Sequence, residues 1–156
     1  MGKETLLSAT IEALLARDGR LVYRTKGVSM RPMLKQNRDL VIIQAPASRL
    51  KKYDVALYRR GKDYVLHRVI GVAEDHYLIR GDNTYAVEHV PDGDVIGVLT
   101  GFQRKGREYR VTDRSYRCYV RLWCAAYPVR ALAVRCLWKL KSIARRLGIR
   151  RRARHE

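Results

Sequence analysis

Between Arg20 and Thr112 the chain is cut into short apolar runs by clusters of Gly, Pro, Asn and Asp, and this punctuation limits the folds open to it. A run too short for a helix, rich in β-branched and aromatic residues and closed by turn chemistry, reads as a strand. Strands are expected over 20–26, around Leu21, Val22 and Tyr23, and over Leu40–Ile43, Tyr53–Tyr58, Tyr64–Val72, Tyr77–Arg80 and Val95–Leu99. A last hairpin is expected from Phe102 and Tyr109–Val111 around Lys105-Gly106. Turns fall at Lys35–Arg38, Arg59–Asp63, Glu74–His76, Gly81–Thr84 and Pro91–Asp94, and Pro46 ends the Leu40 strand. Side chains alternate across a strand, so Val65, His67 and Val69 share one face, and Leu66, Arg68 and Ile70 the other. The expected fold class is mostly β, a sheet or barrel, with an N-terminal helix and a C-terminal basic amphipathic helical segment.

The helices flank this region. Leu6, Leu7, Ile11, Leu14 and Leu15 recur at helical spacing, and Asp18-Gly19 supplies a stop. From Ser115 the pattern is helical again. At 100° per residue Arg117, Arg121, Arg135, Lys139 and Arg146 form a narrow basic wedge, while Tyr119, Leu122, Trp123, Val134, Leu137 and Trp138 fill much of the remaining circumference. Pro128 must break or kink the segment. Three regions follow: 1–19, a helix; 20–112, a β-rich domain; and 115–156, a basic amphipathic tail.

The formal net charge is +18, and residues 115–156 alone carry 12 Lys+Arg against one acid. Such a tail meets anionic lipid, nucleic acid or an acidic peptide, and sign alone does not choose. Its wide apolar face and aromatic residues suit a helix lying in a membrane interface; a helix hairpin packed on the sheet is the competing reading. Cys118, Cys124 and Cys136 match no zinc spacing and are odd in number. They are expected to be reduced and either buried or lipid-facing. No run is long and apolar enough to span a bilayer, and Glu4, Glu12 and Arg17-Asp18 are foreign to a signal peptide.

Within the β region, Lys26-Gly27-Val28-Ser29-Met30-Arg31-Pro32 marks a sharp turn. Gly27 permits close backbone approach and Pro32 ends strand pairing. Ser29 is then either an ordinary turn residue or a hydroxyl presented as a nucleophile, which needs a base to take its proton. His76, His89 and His155 read as surface residues, with His89 beside Glu88.

The order of boxes decides between these readings of Ser29. Gly27-Val28-Ser29-Met30-Arg31-Pro32 is followed by Tyr53-Asp54-Val55-Ala56, His67-Arg68-Val69-Ile70-Gly71, Gly81-Asp82-Asn83 and Val95-Ile96-Gly97-Val98. This series, over roughly residues 20–100, resembles the type I signal peptidase family within the signal peptidase/LexA-like clan. The His in the base box resembles the archaeal and endoplasmic-reticulum type, where bacterial members carry Lys. The resemblance implies Ser29 as nucleophile, His67 as general base, the Ser29 backbone N–H as an oxyanion donor, and Gly27 and Met30 against substrate. It also implies an acid that orients His67: Glu88 is favoured, and Asp82 is the alternative. Some members place a Ser hydroxyl where Gly27 stands, so a second oxyanion donor must come from elsewhere.

The expected activity is that of a serine endopeptidase that cleaves a signal or leader peptide from a precursor, without a cofactor or metal. The short helix before the nucleophile box, where the family carries a spanning anchor, points to a dedicated precursor and to peripheral membrane association through 115–156, on the cytoplasmic side. Nucleic acid is not the expected partner. The alternatives are a non-catalytic basic module for anionic membrane or nucleic acid, and a LexA-like self-cleaving domain; the latter family uses a Lys base.

Overall fold

The computed structural model describes the backbone from Lys3 to Arg146, and side chains from Ile11 to Leu137 and at Lys139 and Ser142. It is mostly β. Helix α1 (Lys3–Asp18) leads into β1 (Arg20–Arg24), β2 (Leu40–Gln44), β3 (Val55–Arg60), β4 (Asp63–Val72), β5 (His76–Arg80), β6 (Glu88–Pro91), β7 (Val95–Arg104) and β8 (Arg107–Arg110). Helices α2 (Arg114–Ala125) and α3 (Tyr127–Arg146) follow. The Leu15 carbonyl accepts from the Gly19 N–H at 2.9 Å, and Gly19 has a φ of +63°, so the expected stop of α1 is a left-handed glycine cap.

All eight strands join one antiparallel sheet in the order β1-β2-β7-β3-β4-β5-β6, with β8 beside β7. The register slips between Ile42 and Ile43, between Leu57 and Tyr58, and between Val69 and Gly71. Such bulges bend the strands that carry them. Gly97 permits the closest approach in this region, since a Cβ there would overlap the Ile43 side chain.

The inner face of the sheet supplies the core. Leu50, Ala56, Tyr58, Val69, Tyr77, Ile79 and Val90 form one buried cluster, with Val65, Val95 and Val98 packed against it. Each wholly buried Val, Ile or Leu of this kind contributes about 1.5–3 kcal/mol relative to an exposed one. One strand of the sheet falls where sequence pattern alone indicates a loop: β6 is short, begins Glu-His and ends in Pro, and it exists by pairing with β5 from Ile79↔Glu88 to His76↔Pro91. Two boundaries also move. Tyr53 leaves its expected strand, with a φ of +85°, and the strand instead runs through Arg59 and Arg60. β7 runs unbroken through Phe102 because Gly101 stays in register with Ile42 and Arg110.

Among the described residues, those up to Arg121 form one compact unit and those from Leu122 a second. The first two turns of α2 belong to the first unit, where Tyr116 and Val120 are buried. In the second unit, α3 begins just before Pro128, which occupies a first-turn position where its missing N–H is no loss. The Arg130 guanidinium lies 3.7 Å from the Trp123 ring centroid and donates to the Trp123 carbonyl at 3.0 Å. Val129, Leu132 and Leu137 are exposed. All three cysteines are free; Cys118 and Cys136 are exposed rather than buried in the protein, and Cys124 is half-buried, which leaves the lipid-facing alternative for the exposed two. Among the described residues no helix is long and apolar enough to cross a membrane. Leu6, Leu7, Trp138 and Arg146 of the expected helix faces, and His155, lie outside the described side chains.

Candidate active site

The Ser29 turn is built from both ends of a loop that leaves β1. Asn37 N–H donates to the Thr25 carbonyl at 3.1 Å, and Lys35 N–H donates to the wholly buried Asp39 carboxylate at 2.8 Å. Met30, Met33 and Leu34 are buried beneath the turn and fasten it to the core. Gly27, with a φ of +80°, lets the chain leave β1 in a direction that other residues resist. Arg31 N–H then closes the turn onto the Val28 carbonyl at 3.1 Å, the Arg31-Pro32 bond is cis, and Ser29 is left half-buried at the apex.

The Gly81-Asp82-Asn83 loop grips this turn. Asn83 donates its backbone N–H to the Ser29 carbonyl at 2.7 Å and its side-chain amide to the Val28 carbonyl at 3.3 Å. Gly81 is the point of convergence. A Cβ at that position would stand 2.8 Å from the Ser29 carbonyl oxygen and 3.1 Å from His67 Cδ2. The Ser29 backbone and the His67 ring therefore meet across a single glycine. Cδ2, the carbon next to Nε2, is the His67 atom nearest that position.

The other edge of the ring is held from behind. His67 Nδ1 lies 3.2 Å from Glu88 Oε1 and 3.1 Å from the Tyr58 hydroxyl. A carboxylate only accepts, so Nδ1 carries the proton and Nε2 carries the lone pair. The Tyr58 hydroxyl, bonded to Glu88 as well, completes a triangle of three side chains from β3, β4 and β6. Burial is the strongest influence on His67 and holds its pKa below 6.5; the Glu88 charge opposes this, and Arg60, 3.4 Å from Glu88, reinforces it. The imidazole is thus kept neutral, the form a general base needs.

Asp82 is differently employed. Both of its oxygens receive the Arg68 guanidinium at 2.7 Å, with the two side chains 2% and 1% exposed. Arg68 also donates to the Tyr53 carbonyl at 3.0 Å and to the Tyr116 hydroxyl at 3.2 Å. The geometry therefore places Glu88 on the imidazole and gives Asp82 to Arg68, as the pin that sets the loop gripping Ser29. The strained Tyr53 backbone is accounted for by the same pin, since its carbonyl satisfies a buried guanidinium.

A cleft of about 510 Å³ opens over Ser29 and His67, lined among others by Gly27, Met30, Leu34, Leu66 and Glu88. Exposed Gly27 and buried Met30 both reach it, one at the rim and one at the floor. β4 pairs with β3 over Asp63–Arg68 but with β5 only from Arg68 onward. Among the described residues no strand lies beside the second edge of Val65 and Leu66, which borders the cleft. Among the described residues no group of three or more His, Cys, Asp or Glu is placed to hold a metal ion.

Sequence reasoning missed Tyr58, Arg60 and the partners of Arg68. Tyr58 carried a signal, since it alternates with Ala56 on the strand facing His67. Arg60 and Tyr116 carried none, because their approach depends on the turn after β3 and on the docking of α2. Protein-family models compared with the chain give no match, and neither do curated proteins.

Proposed function

We propose that the protein is a serine endopeptidase with a Ser29–His67 centre, of the kind that removes a signal or leader segment from a precursor. The observation that carries this reading is the approach of the Ser29 turn and the His67 ring across Gly81, in one cleft, with Nδ1 held by Glu88. A precursor segment lies extended in the cleft and pairs with the open edge of β4 at Val65 and Leu66 and with the chain at Lys26-Gly27. The Ser29 hydroxyl attacks the scissile carbonyl while His67 Nε2 takes its proton. The Ser29 N–H stabilises the resulting oxyanion. The tetrahedral intermediate collapses as His67 returns the proton to the leaving amine. Water, deprotonated by the same nitrogen, then releases the acyl group from Ser29. Glu88 is a positioning residue: it fixes the tautomer and steadies the imidazolium.

The basic amphipathic segment from Ser115 onward brings the enzyme to an anionic membrane surface as a peripheral protein, on the cytoplasmic side, where the precursor is met. Its excess of cations and the exposed Val129, Leu132 and Leu137 support this part of the reading. The test is mass spectrometry of peptides released from precursors encoded beside this gene. Ser29→Ala and His67→Ala are each expected to abolish release. Processing that persists in purified Ser29→Ala protein would overturn the assignment.

A further inference from the structure

A second cavity, of about 260 Å³, lies in the first compact unit between the turn Lys51–Asp54 and the first two turns of α2. Its floor is apolar: Leu99 and Val120 are buried, Val111 is half-buried, and the Tyr116 ring closes one side. Its rim is cationic. Lys51 and Lys52 stand on the turn, and Arg117 and Arg121, one helical turn apart, stand opposite on α2; all four are exposed. The one acid in the lining, Asp54, spends its carboxylate on the turn itself, accepting from the Lys51 N–H at 2.7 Å. α2 carries no acidic residue to neutralise its arginines.

We propose that this cavity is a headgroup site for an anionic phospholipid. Two exposed arginines and two exposed lysines lining one cavity match a phosphodiester, which Arg can grip with parallel hydrogen bonds and Lys can neutralise. The apolar floor chooses the source of the phosphate. A bare, hydrated phosphate would leave the half-buried Val111 and Tyr53 of the lining in contact with water, whereas the glycerol and first acyl carbons of a lipid cover them. The site deepens the membrane part of the proposed reading, is independent of Ser29 chemistry, and places a lipid contact on the β body. Two residues of its wall, Tyr53 and Tyr116, also accept from Arg68, beside Asp82.

The test uses short-chain phosphatidylglycerol below its critical micelle concentration, titrated into the full chain with NMR detection of the Val111 and Val120 methyl groups. The expected result is a saturable shift of both methyls that short-chain phosphatidylcholine does not reproduce. The double variant Arg117→Gln/Arg121→Gln is expected to weaken binding by at least about tenfold. The double variant Lys62→Gln/Lys105→Gln, which removes the same charge from exposed turns elsewhere, is expected to leave it unchanged. Equal loss in both variants, or no saturable shift, would mean diffuse attraction by a basic surface and would overturn the site. The same shifts with inorganic phosphate at equal concentration would identify a soluble anion and overturn the lipid assignment. A variant lacking Ser29 binds as the parent does, so failure here and failure of the peptidase reading are separable.

Discussion

At the scale of single residues, the candidate centre depends on opposing influences on one imidazole. Burial pushes the His67 pKa below 6.5, Glu88 lifts it and Arg60 lowers it further. In the proposed reaction the base works in its neutral form, so kcat/KM is expected to fall on the acid side along a limb whose midpoint lies below 6.5. Glu88→Gln removes the lifting charge: the limb moves to lower pH, and the plateau drops by about 10²–10⁴-fold as the ring loses its charged partner. Arg60→Gln removes a lowering charge, and the limb moves to higher pH. Opposite displacements from two neighbouring substitutions, read in the pH profile or in an NMR titration of the ring, would not arise from a general loss of packing. The same sign governs stability. Folding favours neutral His67, so its contribution is present above pH 6.5 and is lost as pH falls through the lowered value.

At the scale of elements, the Gly81–Asn83 loop and the Ser29 turn form one assembly pinned by Arg68. Removing one partner of a buried pair leaves the other charged and unsatisfied, which costs about 3–5 kcal/mol. Asp82→Asn is therefore expected to lower Tm by about 10 °C, and to slow cleavage by displacing the loop that holds the Ser29 carbonyl. Calorimetry and the rate of precursor cleavage check the two effects; an unchanged Tm would remove Arg68–Asp82 from this role. The sequence carried part of this assembly and withheld part. Turn chemistry at Gly27 was readable because few residue types take its positive-φ backbone, whereas the need for glycine at position 81 comes from close approach to Ser29 and His67. The strand alternation that sets Arg68 on the face opposite His67 was readable for the same local reason. Which acid meets which base was not, because it depends on how β6 aligns with β5. β6 itself was hidden because four residues beginning with Glu-His hold their shape only through a partner strand. The breaks after α1 and before α3 were legible, since glycine caps and first-turn prolines are set by their own backbones.

At the scale of the whole molecule, the place where the chain divides differs from the place where its composition changes. Helical, basic sequence begins near Ser115, yet the compact β unit extends to Arg121. The difference is two side chains. Tyr116 closes the hydrogen-bond set of Arg68, and Val120 is 2% exposed against the sheet. Losing a buried Val and a large aromatic from a core costs several kcal/mol, and the tyrosine also leaves a guanidinium short of an acceptor. Charge patterning could not locate this boundary, because the helix face that docks and the helix face that stays wet alternate within each turn. Two truncations separate the roles of the segment. A chain ending at Arg121 is expected to keep its urea midpoint and its cleavage of a soluble peptide. It is expected to lose most of its attraction to anionic vesicles, since all the Lys and Arg of the tail except Arg117 and Arg121 lie beyond that point. A chain ending at Asp113 is expected to unfold at clearly lower urea and to lose cleavage in proportion, because Arg68, and through it Asp82 and the Ser29 turn, has lost its α2 partner. Equal midpoints for the two chains would show that α2 is only an attachment to the β body, and would leave the pinning of the Ser29 turn to the sheet alone.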